Sequence, residues 1–373
     1  MDGARRIVQE ILEVADVAVN GERPWDLRVH NEGFFGRVLA GGSLALGESY
    51  MDGWWDCERL DELITRILEN DLQQRVRPSL RVAILWLRSM FLNAQRKSRA
   101  YEIGERHYDL GNDLYRIMLD KGMNYSCGYW KRAKDLDGAQ EDKLELICRK
   151  IKLEKGMRVL DIGCGWGGFA RYAAQRHGIQ VIGITVSKEQ ASIAKERCRD
   201  LPVEIRLQDY RDLDGTFDRI VSVGMIEHVG VKNYRAYMNI AARCLAPDGL
   251  FLLHTIGSNV STRYGDPWTD KYIFPNGMVP SLRQLAKAAE GLFKLEDLHN
   301  FAQYYDPTLM AWHANFISRW DQIKDQYGER FFRMWRYYLL SSAASFRSGL
   351  ARLWQMVFSP LNSTSIYERI PDL

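Results

Sequence analysis

Glycines and acids at predicted strand ends are where this 373-residue chain shows its clearest chemistry. The run VLDIGCGWGGFA carries Asp161, then Gly163, Gly165 and Gly167 at alternate positions, then Gly168. Gly163, Gly165 and Gly168 alone satisfy G-x-G-x-x-G, a weak dinucleotide signal. Two features argue against a dinucleotide. Asp161 brings negative charge toward the place a pyrophosphate would take, and the next strand ends at Thr185 with no acid for a ribose. D-x-G-x-G-x-G suits a cofactor that has no phosphate and a cationic centre, because glycine lets the backbone approach closely. S-adenosylmethionine is such a cofactor. Its adenosine needs a polar and an aromatic neighbour, and LQDYRDL offers Asp209 as an acceptor and Tyr210 as a stacking face. A turn cap is an equally good use of Asp209.

The acceptor side is read the same way. VGMIEHVG is apolar except for Glu227 and His228, and LLHTIG sets His254 in an apolar run. YSCGYW, Tyr125 to Trp130, surrounds Cys127 with aromatic rings. Each has an ordinary structural role open to it. Glu227 can cap a helix, His254 can be a hydrogen-bonded core residue, and Cys127 can be an inert buried thiol. Convergence of all three on one apolar chamber makes a reaction site the better reading.

Such residues need a frame that gathers strand ends. From Met157 the chain alternates between strand-like runs (MRVLDIG, IQVIGITVS, PVEIRLQD, FDRIVSVG, GLFLLHTIG) and helical stretches, one ending at His177 and another at Arg199. This order predicts an α/β fold, a parallel sheet with helices on both faces. Ligands then sit beyond the carboxyl ends of the strands. The N-terminal part differs. Residues 1–20 predict an amphipathic helix with Ile7, Ile11, Val14 and Ala18 on one face. Short apolar runs among glycines from Trp25 to Leu46 predict a few strands and tight turns, and RLDELITRILE a helix. Between Leu72 and Arg99 the chain holds Arg75, Arg77, Arg81, Arg88, Arg96, Lys97 and Arg99 and no acid, around VAILWLRSMFL. This segment suits either a packed helix with a solvated basic face or a surface lying on anionic lipid. The predicted division is an N-terminal domain over 1–95, meeting lipid and membrane, and a catalytic domain over 96–373.

Composition sets the remaining bounds. A net charge of +3 and 46% hydrophobic residues describe a globular protein, not a disordered or collagen-like one. The six cysteines form no C-x-x-C pair and no zinc spacing, so no metal is expected and a reducing, cytoplasmic compartment is. The acidic residues in the first twenty exclude a signal peptide, and no run approaches the roughly 20 apolar residues of a membrane span. Any membrane contact is therefore peripheral. No basic cleft argues for nucleic acid.

Taken together, GESYMDGWW, HYDLGNDLY, YSCGYW, VLDIGCGWGG, GITVSKEQ, LQDYRDL, DRIVSVGMIEHVG, FLLHTIGS, KYIFPNG and YYDPTLMAWH resemble, in order, the bacterial cyclopropane-fatty-acyl-phospholipid synthases. The likeness runs from about residue 25 to 358. The mycolic acid cyclopropane synthases are similar only from about HYDLGNDLY onward. The resemblance implies a seven-stranded, Rossmann-like (class I) methyltransferase sheet with a smaller, mainly helical N-terminal domain. It implies methylene transfer from S-adenosylmethionine across a cis double bond of a phospholipid acyl chain. It also implies a bound bicarbonate, held by Cys127, Glu227, His254, Ile256 and Tyr305, with Ile256 and Cys127 acting largely through backbone. The implied cofactor contacts are Tyr125, Ser126, Asp161, Gly163, Gly165, Gly167, Thr185, Gln190, Asp209 and Tyr210. A homodimer at the inner face of the membrane is implied as well. Where the mycolic branch has tryptophan and glutamate, this chain has Tyr210 and Arg211. Stacking survives that change; a carboxylate contact at Arg211 does not.

That chemistry suits the residues. An isolated alkene offers only π electrons, so methylation leaves a carbocation, and a base must take a proton from the new methyl before the ring closes. Three rival readings remain: a sister enzyme making a branched or oxygenated chain, a methyltransferase of small molecules or RNA, and a non-catalytic lipid-binding module.

Overall fold

The structure, a computed structural model, describes residues 2–72, 111–262 and 264–370. Its contacts divide the chain into two compact units that interleave in sequence. One comprises Met1–Leu92, Arg263–Asn276 and Leu309–Ala351; the other comprises Asn93–Thr262, Gly277–Thr308 and Arg352–Leu373. The boundary expected at 95 and 96, and the basic stretch beyond Leu72, lie outside the described residues.

The second unit is built on a seven-stranded sheet in the order β5-β4-β3-β6-β7-β9-β8. The strands are β3 (Arg158–Ile162), β4 (Gln180–Thr185), β5 (Val203–Leu207), β6 (Phe217–Val223), β7 (Leu245–Ser258), β8 (Phe293–Asn300) and β9 (Ala351–Pro360). β3 to β7 pair in parallel, with Leu160 opposite both Ile182 and Ile220 and Val223 opposite His254. β8 and β9 pair antiparallel. Order reverses between β3 and β6, so the crevice for a ligand opens at their carboxyl ends.

The α/β expectation holds, and its cause is visible in the alternation of side chains. On one face Leu160, Ile162 and Phe251 pack with Tyr234 and Met238 of one helix and Leu285 of another. On the other, Val159, Val181 and Leu252 pack with Ile147, Ala170 and Ala173. A sheet buried on both faces needs the near-continuous apolar strands seen here. The helices on the second face are α5 (Leu136–Lys150) and α6 (Gly168–His177). Asp135 caps α5 by accepting from the Gly138 N–H. Ser187 caps α7 (Lys188–Arg197), which follows β4.

In the first unit two sequence-based expectations fail. α1 (Asp2–Glu13) buries Val8 and Leu12 at 5% and 6% exposure, whereas Ile7 and Val14 are 48% and 45% exposed. The inward face is therefore offset by one residue, which periodicity alone resolved poorly in a helix with apolar residues on both sides. The run from Trp25 to Leu46 forms only the two-residue strand β1 (Arg28–Val29), paired with β2 (Trp55–Asp56). From Gly33 the chain enters α2 (Gly33–Met51), kinked at Gly42, whose φ of 56° a glycine tolerates. Here tertiary packing overrides glycine's weak helix propensity. α3 (Leu60–Glu69) forms where RLDELITRILE predicts it. Among the described residues no helix is long and apolar enough to cross a membrane.

Candidate active site

The glycine loop leaves β3 and turns into α6. Gly163, Gly165 and Gly167 have φ of 85°, 53° and 79°. Such values suit glycine, and a Cβ on Gly163 would lie 2.9 Å from Met225. The Gly163 and Cys164 N–H groups donate to the Ile184 carbonyl, tying the loop to the end of β4. The loop borders a cavity of about 180 Å³. Of the ten residues expected to meet the cofactor, nine line it: Tyr125, Ser126, Asp161, Gly163, Gly165, Thr185, Gln190, Asp209 and Tyr210. Gly167 does not. Its missing side chain makes room for Cys198 and Ala194, so it packs the loop against α7.

The far wall of this cavity is prearranged. The Thr185 hydroxyl donates to Gln190 Oε1 at 2.9 Å. Asp209 is buried, and its two oxygens accept from the backbone and the guanidinium of Arg211, each at 2.9 Å. Asp209 is thus both turn cap and cavity wall. The Arg211 guanidinium stands 4.8 Å from the Tyr210 ring centre, and Tyr237 meets that ring edge-on at 5.3 Å. The near wall is less satisfied. Asp161 Oδ2 is buried without a partner, and burial raises its carboxyl to about 7. Lys143 of α5, which sequence reasoning missed, also lines the cavity, and burial lowers it to about 8. Lys143 stands one heptad before Lys150 on α5, a spacing that puts two bases on one helix face and was the available signal.

Of the five residues implied as anion ligands none lines this cavity, and two, Cys127 and Glu227, are sequence neighbours of residues that do. Ser126 lines it, and Cys127 follows, fully buried, its thiol pushed up by burial. The YSCGYW segment is pinned by Thr308. The Thr308 hydroxyl accepts from the Gly128 N–H at 3.0 Å and the Trp130 indole at 2.8 Å, and donates to the Tyr304 carbonyl at 2.7 Å. Tyr129 stacks on Phe301 at 5.2 Å and meets Tyr304 edge-on at 4.8 Å. Phe301 in turn packs edge-on against His254 at 5.4 Å. These rings link the YSCGYW segment, through Tyr129 and Phe301, to His254, and Tyr305, which follows Tyr304, opens the helix Tyr305–Arg319.

His254 is neutral, because burial depresses its pKa well below the usual imidazole range. Its Nδ1 faces the Gln355 amide nitrogen at 3.2 Å. The amide donates there, so the proton lies on Nε2, which is buried and has no partner. Glu227 sits in the turn after β6. Its Oε1 accepts from the Ile256 N–H at 2.7 Å, whereas Oε2 is buried and has no partner. Burial raises this carboxyl to about 7. The Ile256 amide, implied as an anion donor, is therefore engaged by Glu227. All six cysteines are free and buried, and no metal-binding cluster occurs among the described residues.

A mostly parallel seven-stranded sheet in this order, with a glycine loop and a cavity at its switch point, defines a class I S-adenosylmethionine-dependent methyltransferase fold. Residues 95–356 match the mycolic acid cyclopropane synthetase family. The chain is 53% identical to the cyclopropane-fatty-acyl-phospholipid synthase of Escherichia coli K12 over 96% of its own length and 94% of that protein's. The cyclopropane synthase MmaA2 of Mycobacterium tuberculosis superposes with a TM-score of 0.65 at 29% identity, covering 69% of this chain and 97% of that one. The mycolic acid cyclopropane synthase CmaA1, solved with SAH and CTAB, gives 0.65 at 30% identity over the same shares. The chain belongs to this family of cyclopropane synthases. It is an enzyme, and its cofactor is S-adenosylmethionine, which the open glycine cradle and the unpartnered Asp161 oxygen fit.

Proposed function

We propose that this enzyme adds a methylene across the cis double bond of an unsaturated acyl chain in a membrane phospholipid, closing a cyclopropane ring. The observation that carries this reading is the likeness of nearly the whole chain, N-terminal block included, to the Escherichia coli cyclopropane-fatty-acyl-phospholipid synthase. The same reading makes the enzyme a homodimer docked peripherally on the inner face of the membrane.

When bound, S-adenosylmethionine supplies a methyl electrophilic enough for alkene π electrons to attack. When bound, a bicarbonate ion supplies a base for the proton that the added methyl must lose. The side chains fit that ion. Its oxygens need a donor, and His254 Nε2–H is one without a partner; its hydroxyl needs an acceptor, and Glu227 Oε2 is one without a partner. Tyr305 adds a second hydroxyl donor. Cys127 needs no nucleophilic role, because its buried thiol is held in the neutral form. Tyr129, Phe301 and Tyr304 present aromatic faces and edges that exclude water and stabilise positive charge on the acyl chain. In a dry site each of these charges acts more strongly than it would in water.

The test is incubation of purified protein with methyl-labelled S-adenosylmethionine and vesicles of a monounsaturated phospholipid. Fatty acids are then extracted and identified by mass spectrometry and proton NMR. Upfield ring-methylene signals with loss of the alkene are expected. A branched or oxygenated chain would reassign the product, and unlabelled lipid would refute the lipid substrate.

A further inference from the structure

Lys143 and Lys150 are both 1% exposed, yet their surroundings differ. Lys150 forms an ion pair with Asp297 at 3.4 Å and meets His299 Nδ1 at 3.0 Å. Lys143 donates to the neutral hydroxyl of Ser126 at 2.9 Å. Among the described residues no carboxylate lies within ion-pair distance of it, and Asp120 and Asp161 act on it only from farther away. Burying a cation without a counter-charge destabilises the fold. A ligand that carries the missing charge removes that penalty. Lys143 and Ser126 both line the cofactor cavity, and so does Asp161, whose Oδ2 lacks a partner. The methionine moiety of the cofactor is a zwitterion, and this wall of the cavity carries both complementary signs.

We infer that Lys143, acting through the Ser126 hydroxyl, is a positioning residue that supplies the counter-charge for the carboxylate of the cofactor's amino-acid moiety. This rests on the cofactor assignment alone and is independent of the lipid substrate. Lys150, already neutralised by Asp297, is the internal control.

The experiment is calorimetric titration of the full chain, without lipid, with S-adenosylhomocysteine and with its decarboxylated analogue, which keeps the amino group. Wild type binds the carboxylate-bearing ligand more tightly. Lys143→Gln lowers that affinity about ten- to a hundredfold, the range of a charged hydrogen bond, and changes the analogue's affinity less than about threefold. Lys150→Met lowers Tm but leaves the ratio of the two affinities unchanged. Equal losses for both ligands in Lys143→Gln, or no loss for either, would leave the ratio unchanged and overturn the inference, the first reducing Lys143 to a structural role. If Lys143→Gln does not fold, Ser126→Ala decides: collapse of the ratio is expected, and its persistence overturns the route through Ser126. Wild-type protein that binds neither ligand would remove the cofactor assignment itself.

Discussion

The adenosine end of the cofactor cavity and the pair Glu227 and His254, neither of which lines it, are built on opposite principles. At the first, the side chains of Thr185 and Asp209 are already paired, Thr185 with Gln190 and Asp209 with Arg211 through both oxygens. At the second, two buried polar atoms, Glu227 Oε2 and His254 Nε2, have no partner. Buried polar groups are nearly always satisfied, so an exception calls for a reason. A prearranged wall recognises a ligand by shape at little cost on binding. An unsatisfied pair costs stability until something completes it, which is the signature of a place where chemistry occurs.

Glu227→Gln should break this contrast most severely. The amide keeps an acceptor for the Ile256 N–H but cannot take a proton, so kcat is expected to fall by about 10² to 10³. In wild type the proposed role of the ionised carboxylate as acceptor places the acid limb of the kcat profile near pH 7, since burial raises this carboxyl to about 7. Stability should move the other way. A carboxyl raised from its ordinary value is protonated both folded and unfolded in strong acid, so the burial penalty is absent there. The penalty develops as pH climbs from the unfolded value toward about 7 and is complete above it. Glu227→Gln should therefore raise Tm at pH 8 and leave it nearly unchanged at pH 4. A lower Tm at pH 8 would show that the carboxylate is satisfied after all.

His254→Leu tests the donor half. Loss of the Nε2–H is expected to lower kcat about a hundredfold and to raise the bicarbonate concentration needed for half-maximal rate in carbonate-depleted buffer. S-adenosylhomocysteine affinity should stay within about twofold, since His254 does not line the cofactor cavity. A wild-type rate indifferent to carbonate depletion would remove the ion from the reading. Thr308→Val comes next. It strips acceptors from the Gly128 N–H and the Trp130 indole and should cost about 2 kcal/mol, read as a lower Tm. The rate should fall only several-fold, because Thr308 holds the YSCGYW wall and does no chemistry. A loss as deep as that of His254→Leu would move Thr308 into the reacting set.

What was legible in the sequence follows the same division. β3 to β7 and the glycine loop were readable because apolar runs ending in glycine, with caps such as Ser187 between them, are local signals. Of the nine cavity residues, Asp161, Gly163, Gly165, Asp209 and Tyr210 followed from position at strand ends, whereas Tyr125, Ser126, Thr185 and Gln190 came from the family resemblance. Thr308 and Lys143 were not readable. Thr308 acts across 180 residues on Gly128, and Lys143 matters only because it is buried without a counter-charge. The engagement of the Ile256 amide by Glu227 is likewise a tertiary fact. In the first unit, the one-residue offset of α1 and the helix at Gly33–Met51 came from packing that no local pattern encodes. That unit also draws on residues 309–351, which the expected two-segment division assigned to the catalytic domain.

The smallest effect is the most discriminating for the adenosine end. Tyr210 lines the cavity with a buried hydroxyl that has no partner. If the ring face is what the cofactor meets, Tyr210→Phe keeps it and sheds an unsatisfied polar group. Affinity for S-adenosylhomocysteine should then change less than about twofold and Tm should rise, by roughly the 1 kcal/mol recovered when a buried orphan hydroxyl is removed. Tyr210→Ala, which loses the ring against Tyr237 and Arg211 as well, should weaken binding about tenfold or more. A large loss in Tyr210→Phe would mean that the hydroxyl is a ligand contact. The adenosine end would then hold unmet polarity of its own, and the distinction between a paired recognition wall and an unpaired reacting end would fail at this residue.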